Sequence, residues 1–276
     1  MIAILFFILG GYIGSFLNVC IYRLPQNRSI VAPRSFCPEC KTYLKFYHNI
    51  PIISYIILKG VCPFCKKKIS FLYITVELLT GFFALLYFLR FGFSPDFAFF
   101  FLFTSLLIII SFIDLQRGII PNSITIPFIL IGFAFSFVLK IIKPFDSFLG
   151  ILTGAALLTL VAAIYKAVAK KNGIGEGDIK LLAMIGAFIG FKGVLFAVII
   201  GSLSGSITGT LVLIIMKKKD SELLRRFLSI TSFMPTKAQN PVSLPFAPFL
   251  SAGALLYIFF GDALINWYIN FFEGFM

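Results

Sequence analysis

Long apolar runs dominate the pattern of hydrophobic and polar positions along the chain. Each run approaches the ~20 residues that a helix needs to cross the hydrocarbon layer of a membrane. We predict eight spans, at residues 2–22, 72–90, 97–114, 123–142, 147–168, 179–191, 193–216 and 246–266. The runs are continuous rather than alternating, which disfavours a β-barrel. The expected fold class is an all-α polytopic membrane protein with about eight transmembrane helices.

The polar segments between the runs set the expected domain organisation. The largest, residues 23–71, is inserted between the first and second spans and is long enough to form a small domain. We therefore divide the chain into a first transmembrane helix (1–22), a small inserted domain (23–71) and a transmembrane domain (72–276). Another polar segment, 217–245, begins with basic residues and predicts an amphipathic helix on the membrane surface.

Composition and charge agree with a membrane location. Hydrophobic residues make up 59% of the chain and charged residues only 13%, where soluble domains carry about a quarter. In the predicted topology, all of the 24 lysines and arginines lie on one side except Arg90, Lys140, Lys143 and Lys192. The positive-inside rule then places the inserted domain in the cytoplasm and both termini outside. The net charge of +13 is explained by topology, so no nucleic-acid partner is expected.

Two cysteine pairs, Cys37/Cys40 and Cys62/Cys65, form a C-x2-C…C-x2-C pattern in the inserted domain. Two such turns present four thiolates, which fits a structural, tetrahedral Zn²⁺ with no open position for water. The alternative is two disulfides or free thiols, and the reducing cytoplasm disfavours disulfides. The fifth cysteine, Cys20, is expected to be an apolar filler in the first span.

Two aspartates border spans on the predicted cytoplasmic side: Asp114 ends the third span and Asp178 opens the sixth. The chain returns to the same face between them, which allows them to meet. Two close carboxylates cannot both ionise, and such a pair can activate water and protonate a scissile amide. Gly175 and Gly177 are expected to leave space for a partner backbone beside Asp178. The alternative is that Asp178 is a helix cap and Asp114 is solvated in a turn.

Three further polar residues are open to two interpretations. Glu77, inside the second span, is expected to face the bundle interior, either as a structural hydrogen-bonding group or in a substrate or methylation role. Glu176 is either a leader-binding acid or a capping acid. His48, the only histidine, is expected at the surface of the inserted domain rather than in the metal site.

Several stretches together resemble the prepilin peptidases, also called type IV leader peptidases. The similar stretches are GSFLNVCIYRLP (14–25), the cysteine pairs around HNIPIISYIILKG, DLQRGIIPNSIT (114–125), GEGDIKLL (175–182) and LPFAPFLSAGAL (244–255). All five occur in the family's order, and the resemblance covers nearly the whole chain.

The resemblance implies a G-x-G-D aspartic endopeptidase of the bacterial inner membrane with its active site facing the cytoplasm. It implies removal of the basic leader of type IV prepilins or type II secretion pseudopilins, after a glycine. Asp114 and Asp178 match the catalytic residues, and Cys37, Cys40, Cys62 and Cys65 match zinc ligands. The cysteine domain also implies N-methylation of the new N-terminus with S-adenosylmethionine, although no donor-binding residues are evident.

Two other functions remain open at this point. A presenilin-like protease also carries G-x-G-D but cuts within a span. An ion-coupled transporter is disfavoured, because it would need acids near the membrane midplane and matching halves. The identity of the pilin and the oligomeric state do not follow from the sequence.

Overall fold

The computed structural model describes residues 2–170, 175–217 and 245–273, and all regular structure in these ranges is helical. The main helices are α1 (Ile2–Arg23), α2 (Ile53–Ile57), α3 (Phe71–Phe91), α4 (Pro95–Arg117), α5 (Asn122–Val138), α6 (Pro144–Ala169), α7 (Glu176–Lys217) and α8 (Ala247–Glu273). Two short 3₁₀ turns, Leu24–Gln26 and Phe46–Asn49, lie in the inserted domain. The predicted all-helical fold with an insertion between the first two spans is confirmed.

In the part of the chain that the structure describes, five helices are long and apolar enough to cross a membrane: α1, α3, α4, α6 and α7. Two shorter apolar helices, Asn122–Val138 and Ala247–Gly261, match the predicted fourth and eighth spans. The long α7 contains a break at Gly190, where φ is 70° and ψ is −176°. The break separates the predicted sixth and seventh spans close to the expected boundary at residues 191–193.

Local sequence explains where the helices begin and end. The side chain of Ser94 caps α4 by accepting the N–H of Phe97, and Pro95 occupies the first helical position. Gly118 ends α4 in the left-handed conformation, with φ of 65°. Asp114 therefore lies in the last turn of α4, three residues before the helix ends at Arg117.

The chain forms two compact units, whose described parts are residues 2–118 and residues 119–170, 175–217 and 245–273. In the first unit α1, α3 and α4 pack together with the inserted domain. Glycines allow α1 and α3 to approach closely: a Cβ at Gly10 would lie 2.8 Å from the Cα of Gly81. The three-part division predicted from the sequence stays a prediction.

The second unit is built around α7, which packs against α5, α6 and α8. Gly150 and Gly186 bring the backbones of α6 and α7 together, and a Cβ on either would overlap the backbone of the other. Gly253 on α8 lies similarly close to Ala197 on α7. The amphipathic helix predicted within 217–245 lies outside the described residues, apart from its first and last positions.

Candidate functional site

The two cysteine pairs of the first unit form two turns with the same hydrogen bonding. In each turn, the carbonyl of the first cysteine accepts from the residue four positions ahead, and its N–H donates to the residue five positions ahead. For Cys37 these bonds are Lys41 N–H to Cys37 O at 2.8 Å and Cys37 N–H to Thr42 O at 3.0 Å. For Cys62 they are Lys66 N–H to Cys62 O at 3.0 Å and Cys62 N–H to Lys67 O at 2.8 Å. Lys41 and Lys66 close the turns with φ of 57° and 58°. The repeated geometry presents both pairs of thiols in the same way.

The four thiols converge on one point. All four Sγ atoms lie within 4.8 Å of one another. The Sγ atoms of Cys37 and Cys65 are 3.9 Å apart. Tetrahedral zinc with Zn–S bonds of about 2.3 Å separates its sulfurs by about 3.8 Å, so the donor set fits a metal ion of this kind. None of the described cysteines forms a disulfide.

The thiols differ in acidity before any metal is considered. Burial raises the pKa of Cys37 to about 11, and the neighbouring thiols of Cys40 and Cys62 add to this shift. The hydroxyl and backbone N–H of Thr42 lower the pKa of Cys40 to about 6. A bound cation would reverse the shift at Cys37, because metal-bound thiols are deprotonated.

The charged side chains nearby pair across the two turns. Lys67, next to the second pair, donates to the carboxylate of Glu39 in the first pair. This hydrogen bond raises the pKa of Lys67. The pair is exposed and contributes little to stability, but it ties one cysteine turn to the other.

A cavity of about 330 Å³ lies between the inserted domain, α1 and α3, entirely within the first unit. This volume is at the lower end of the range for small-molecule sites, about 300–1,000 Å³. Its lining includes aromatic and polar side chains: Asn18, Tyr22, His48, Tyr55, Tyr73 and Glu77. His48 is therefore a cavity residue rather than a metal ligand, and its Nδ1 is shielded from solvent without a hydrogen-bond partner among the described residues.

Two polar residues of the transmembrane helices are buried at this cavity. Glu77, 8% exposed, accepts the backbone N–H of Ile52 at 2.7 Å and a hydrogen bond from the hydroxyl of Ser15. Asn18, 7% exposed, donates to the carbonyl of Tyr73 at 3.0 Å. The expectation that Glu77 faces the bundle interior agrees with this geometry, and the bond to Ile52 gives it a structural role.

Arg23 is a structural residue that sequence analysis did not single out. It is 4% exposed, and its guanidinium donates to the carbonyls of Ser29, Pro33 and Arg34 at 3.1, 2.7 and 3.3 Å. It also lies 5.8 Å from the ring centroid of Phe36. Arg23 thus holds the loop that leads from α1 into the first cysteine pair. The sequence offers one clue, a lone arginine at the end of an apolar helix.

Asp114, the first candidate acid, belongs to the first unit and is 6% exposed. It sits in the final turn of α4, where its carbonyl accepts the N–H of Gly118 at 2.7 Å. The alternative of a solvated aspartate in a turn is therefore wrong.

Asp178, the second candidate acid, belongs to the second unit and is half-buried at the third residue of α7. The helix dipole favours its ionised form in this first turn. Its backbone N–H donates to Gly175 O at 3.2 Å. Asp114 and Asp178 fall in different units, and their pairing stays a prediction.

The residues around Asp178 are contacted by the segment that follows α4. A Cβ at Gly177 would lie 2.8 Å from the Cβ of Ile120, so the side chain of Ile120 fills the space beside this glycine. Lys180 donates to the side-chain oxygen of Asn122 at 3.1 Å. At Gly175 the nearest atom is Oδ2 of Asp178, 3.4 Å from a built Cβ, so the expected space lies at Gly175 alone.

Glu176 is the first residue of α7 and its side chain is 90% exposed. It lies 3.8 Å from Lys180, four residues ahead on the same helix face. This arrangement is a common surface pair that contributes a few tenths of a kcal/mol. Its role in leader binding is not tested by this geometry.

Two family models match the chain in sequence order. Residues 8–91 match the Bacterial Peptidase A24 N-terminal domain, and residues 101–210 match the Type IV leader peptidase family. A protein of Bacillus subtilis (strain 168) named prepilin leader peptidase/N-methyltransferase is 36% identical over 98% of this chain and 98% of its own length. The chain belongs to the type IV leader peptidase family.

Other relatives of this family carry the same name. The protein of Myxococcus xanthus (strain DK1622) is 38% identical over 78% of this chain, and the match covers 64% of its own length. The protein of Stutzerimonas stutzeri is 30% identical over 96% of this chain and 92% of its own. No solved structure matches the chain. Family membership and the apolar helices make this leader peptidase a multi-pass membrane protein.

Proposed function

We propose that this leader peptidase removes the basic leader of type IV prepilins or type II secretion pseudopilins after a glycine, using Asp114 and Asp178. The observation that carries the proposal is the match, over 98% of both chains, to a relative named prepilin leader peptidase/N-methyltransferase. Asp114 is buried in the last turn of α4, and Asp178 is half-buried in the first turn of α7.

The start of α7 is contacted, within the second unit, by residues that follow Asp114 in the chain. Ile120, which Gly177 contacts, follows Asp114 by six positions in the chain. The proposal requires the two carboxylates to approach closely enough to share a proton.

The proposed mechanism divides the work between the two carboxylates. Asp178, in the first turn of a helix, is the ionised base that takes a proton from water. Asp114, at the end of an apolar helix and largely shielded from solvent, is the neutral acid that donates to the scissile carbonyl. Attack of the water then gives a tetrahedral intermediate. It collapses as Asp178 passes its new proton to the leaving nitrogen and Asp114 takes a proton back from a hydroxyl of the intermediate, which releases the leader and the new N-terminal amine.

We place this chemistry at the cytoplasmic edge of the inner membrane. The basic excess of the loops on the predicted inner side supports this orientation. A pilin leader is cytoplasmic and its following helix lies in lipid, so the bond between them lies at the same edge. Asp114 and Asp178 both occupy helix ends that the predicted topology puts there.

The four-cysteine cluster is proposed to bind structural zinc. The support is the sulfur geometry together with the size of the inserted domain, which is too small to fold around an apolar core alone. Bound zinc would join the two cysteine turns and fix the residues between them. Four thiolates complete the tetrahedral shell, so the metal supplies stability rather than catalysis.

The cavity of the first unit is proposed to hold the methyl donor for N-methylation of the new N-terminus. The relatives' name implies that activity, and S-adenosylmethionine carries a cationic sulfonium and an aromatic base. The tyrosines of the cavity suit the base, and the buried carboxylate of Glu77 suits the cationic part. The methyl group would pass from the sulfonium to the amine, which loses a proton.

Cleavage is tested with purified protein in liposomes, a prepilin, and a transmembrane peptide that lacks a leader. We expect the prepilin alone to be shortened, with mass spectrometry showing a product that begins directly after the leader's glycine. Cleavage of the plain peptide within its span would contradict the proposal and favour a presenilin-like protease.

Donor binding is tested with a neighbouring pair of substitutions. Leu58 lines the cavity, whereas Ile57 is 72% exposed, so Leu58→Trp fills the cavity and Ile57→Trp does not. We expect Leu58→Trp to weaken S-adenosylmethionine binding at least tenfold in calorimetry and Ile57→Trp to leave it unchanged, a difference of about 1.4 kcal/mol. Equal affinity in both variants would refute this site.

A further inference from the structure

The segment between the cysteine pairs, residues 50–58, contacts α1 well inside that helix. A Cβ built on Gly11 would lie 3.4 Å from the Cβ of Pro51. Gly11 is about 18 Å from the end of α1 at Arg23, at 1.5 Å per residue. This distance is more than the few ångströms of the polar headgroup layer, so Pro51 lies at the level of the hydrocarbon.

A second contact places the same segment beside α3. The N–H of Ile52 donates to Oε2 of Glu77 at 2.7 Å. Glu77 lies about 9 Å inside α3 from its first residue, Phe71, at the same rise per residue. Both neighbouring helices are apolar enough to span a membrane. Two independent contacts thus put the tip of the segment within the membrane-spanning part of the first unit.

Several backbone groups at this tip are paired within the protein. Pro51 has no N–H to satisfy. The N–H of Ile52 bonds to Glu77, that of Ile53 to Pro51 O at 2.6 Å, and that of Ser54 to Ile50 O at 3.1 Å. Irregular backbone is tolerated at membrane depth only when its polar groups find such partners. The carboxylate of Glu77 supplies an acceptor from outside the segment for the N–H of Ile52.

Three isoleucine side chains of the segment are exposed on the surface of the first unit. Ile53, Ile56 and Ile57 are 55, 64 and 72% exposed. Aromatic and basic residues flank them, with Phe46 and Tyr47 before and Lys59 after. Exposed apolar residues between aromatic and basic flanks are typical of chain that enters a membrane from its surface.

We infer that residues 50–58 form a re-entrant segment, which enters the hydrocarbon layer beside α1 and α3 and contacts lipid acyl chains through Ile53, Ile56 and Ile57. Glu77 anchors its tip by accepting the N–H of Ile52. The inserted domain is therefore not only a cytoplasmic insertion, because part of it lies in the membrane. This inference is independent of the cleavage reaction.

The test uses single-tryptophan proteins in liposomes of phosphatidylcholine brominated at mid-chain. The one native tryptophan, Trp267, is first changed to phenylalanine. Tryptophan is then introduced as Ile56→Trp or Ile57→Trp. Phe82→Trp, at an exposed position in α3, is the lipid control, and Val31→Trp, 87% exposed in the loop before the cysteines, is the aqueous control.

We expect bromolipid to quench Ile56→Trp and Ile57→Trp to an extent closer to Phe82→Trp than to Val31→Trp. Quenching closer to Val31→Trp would overturn the inference and show that the isoleucines face water or another part of the protein. The measurement needs no prepilin and no donor, so its failure would leave the proposed function unaffected.

The anchor is tested in the Ile56→Trp background. Glu77→Gln keeps an acceptor for Ile52, so quenching should persist. Glu77→Leu leaves that N–H unpaired, so the tip should withdraw and quenching should fall. Unchanged quenching in Glu77→Leu would refute the anchoring role. Loss of folding in that variant would leave the first comparison intact as the test of the segment.

Discussion

The two glycines that precede Asp178 allow a sharp test, because their surroundings differ. A methyl group at Gly177 would lie 2.8 Å from the Cβ of Ile120 and 3.3 Å from two further atoms of that side chain. At Gly175 the nearest atoms among the described residues are Oδ2 of Asp178, 3.4 Å from a built methyl group, and the backbone N of Gly177, at 4.0 Å. Gly177→Ala therefore forces a displacement that Gly175→Ala does not.

The size of the effect follows from these distances. Carbon atoms pack at about 3.5–4.0 Å, so Gly177→Ala must move Ile120 or the start of α7 by about 1 Å. Overpacking of this kind costs about 1–3 kcal/mol of stability. A 1 Å error in placing a catalytic group can cost about 10²-fold in rate. We therefore expect kcat/KM for leader removal to fall about 100-fold in Gly177→Ala.

The assay compares kcat/KM for a prepilin in wild type, Gly177→Ala and Gly175→Ala, with thermal unfolding measured in parallel. Gly175→Ala should change kcat/KM less than about tenfold, since its methyl group has room. Activity within a few fold of wild type in Gly177→Ala would show that the contact with Ile120 does not position Asp178. Inactivation of Gly175→Ala alone would show that the open space at that glycine is what the reaction needs.

Three further predictions concern the scaffold. Metal analysis of the purified protein should find about one equivalent of zinc, and the double variant Cys37→Ser/Cys40→Ser should lose it. A folded protein without metal would contradict the zinc site. Gly186→Ala should lower stability by about 1–3 kcal/mol in detergent unfolding because its methyl group meets the backbone of α6. The control Gly205→Ala should leave stability unchanged, because a methyl group there would make only ordinary van der Waals contacts with the described residues. Equal losses of stability in the two variants would refute the argument. Arg23→Ala should cost about 1.5–3 kcal/mol, because it removes the guanidinium that donates to three carbonyls, and it should weaken zinc retention. Unchanged stability would argue against the proposed loop anchor.

Much of the helical layout could be predicted from the sequence because lipid imposes long apolar runs. The exceptions have local causes. α4 continues past Asp114 to Arg117 because Gly118, not the polar residues before it, ends the helix. α5 ends at Val138, short of the predicted residue 142, where Lys140 adopts φ of 56° and Pro144 begins the next helix. The break at Gly190, by contrast, could be predicted to within a few residues, because Lys192 interrupts the apolar run beside it.

The candidate sites also differ in how much of each could be predicted from the sequence. The cysteine cluster could be predicted because its spacing is local and its chemistry is specific. The bond from Ile52 to Glu77 could not, because it joins residues 25 positions apart through a fold that the sequence alone does not define. The same holds for Ile120 at Gly177, where the expected open space is filled by the chain. Long-range contacts of this kind depend on helix packing rather than on residue pattern.

The central claim is that Asp114 and Asp178 act together on one amide bond, and a double-mutant comparison tests it most directly. Leader removal would be measured for Asp114→Asn, Asp178→Asn and the double variant, with Asp146→Asn as control, since Asp146 is also the third residue of its helix. We predict that each single change lowers the rate about 10²–10⁴-fold, that the double variant is no slower than either, and that the control is unaffected. Near-normal cleavage in either single variant, or losses that multiply in the double variant, would contradict the claim.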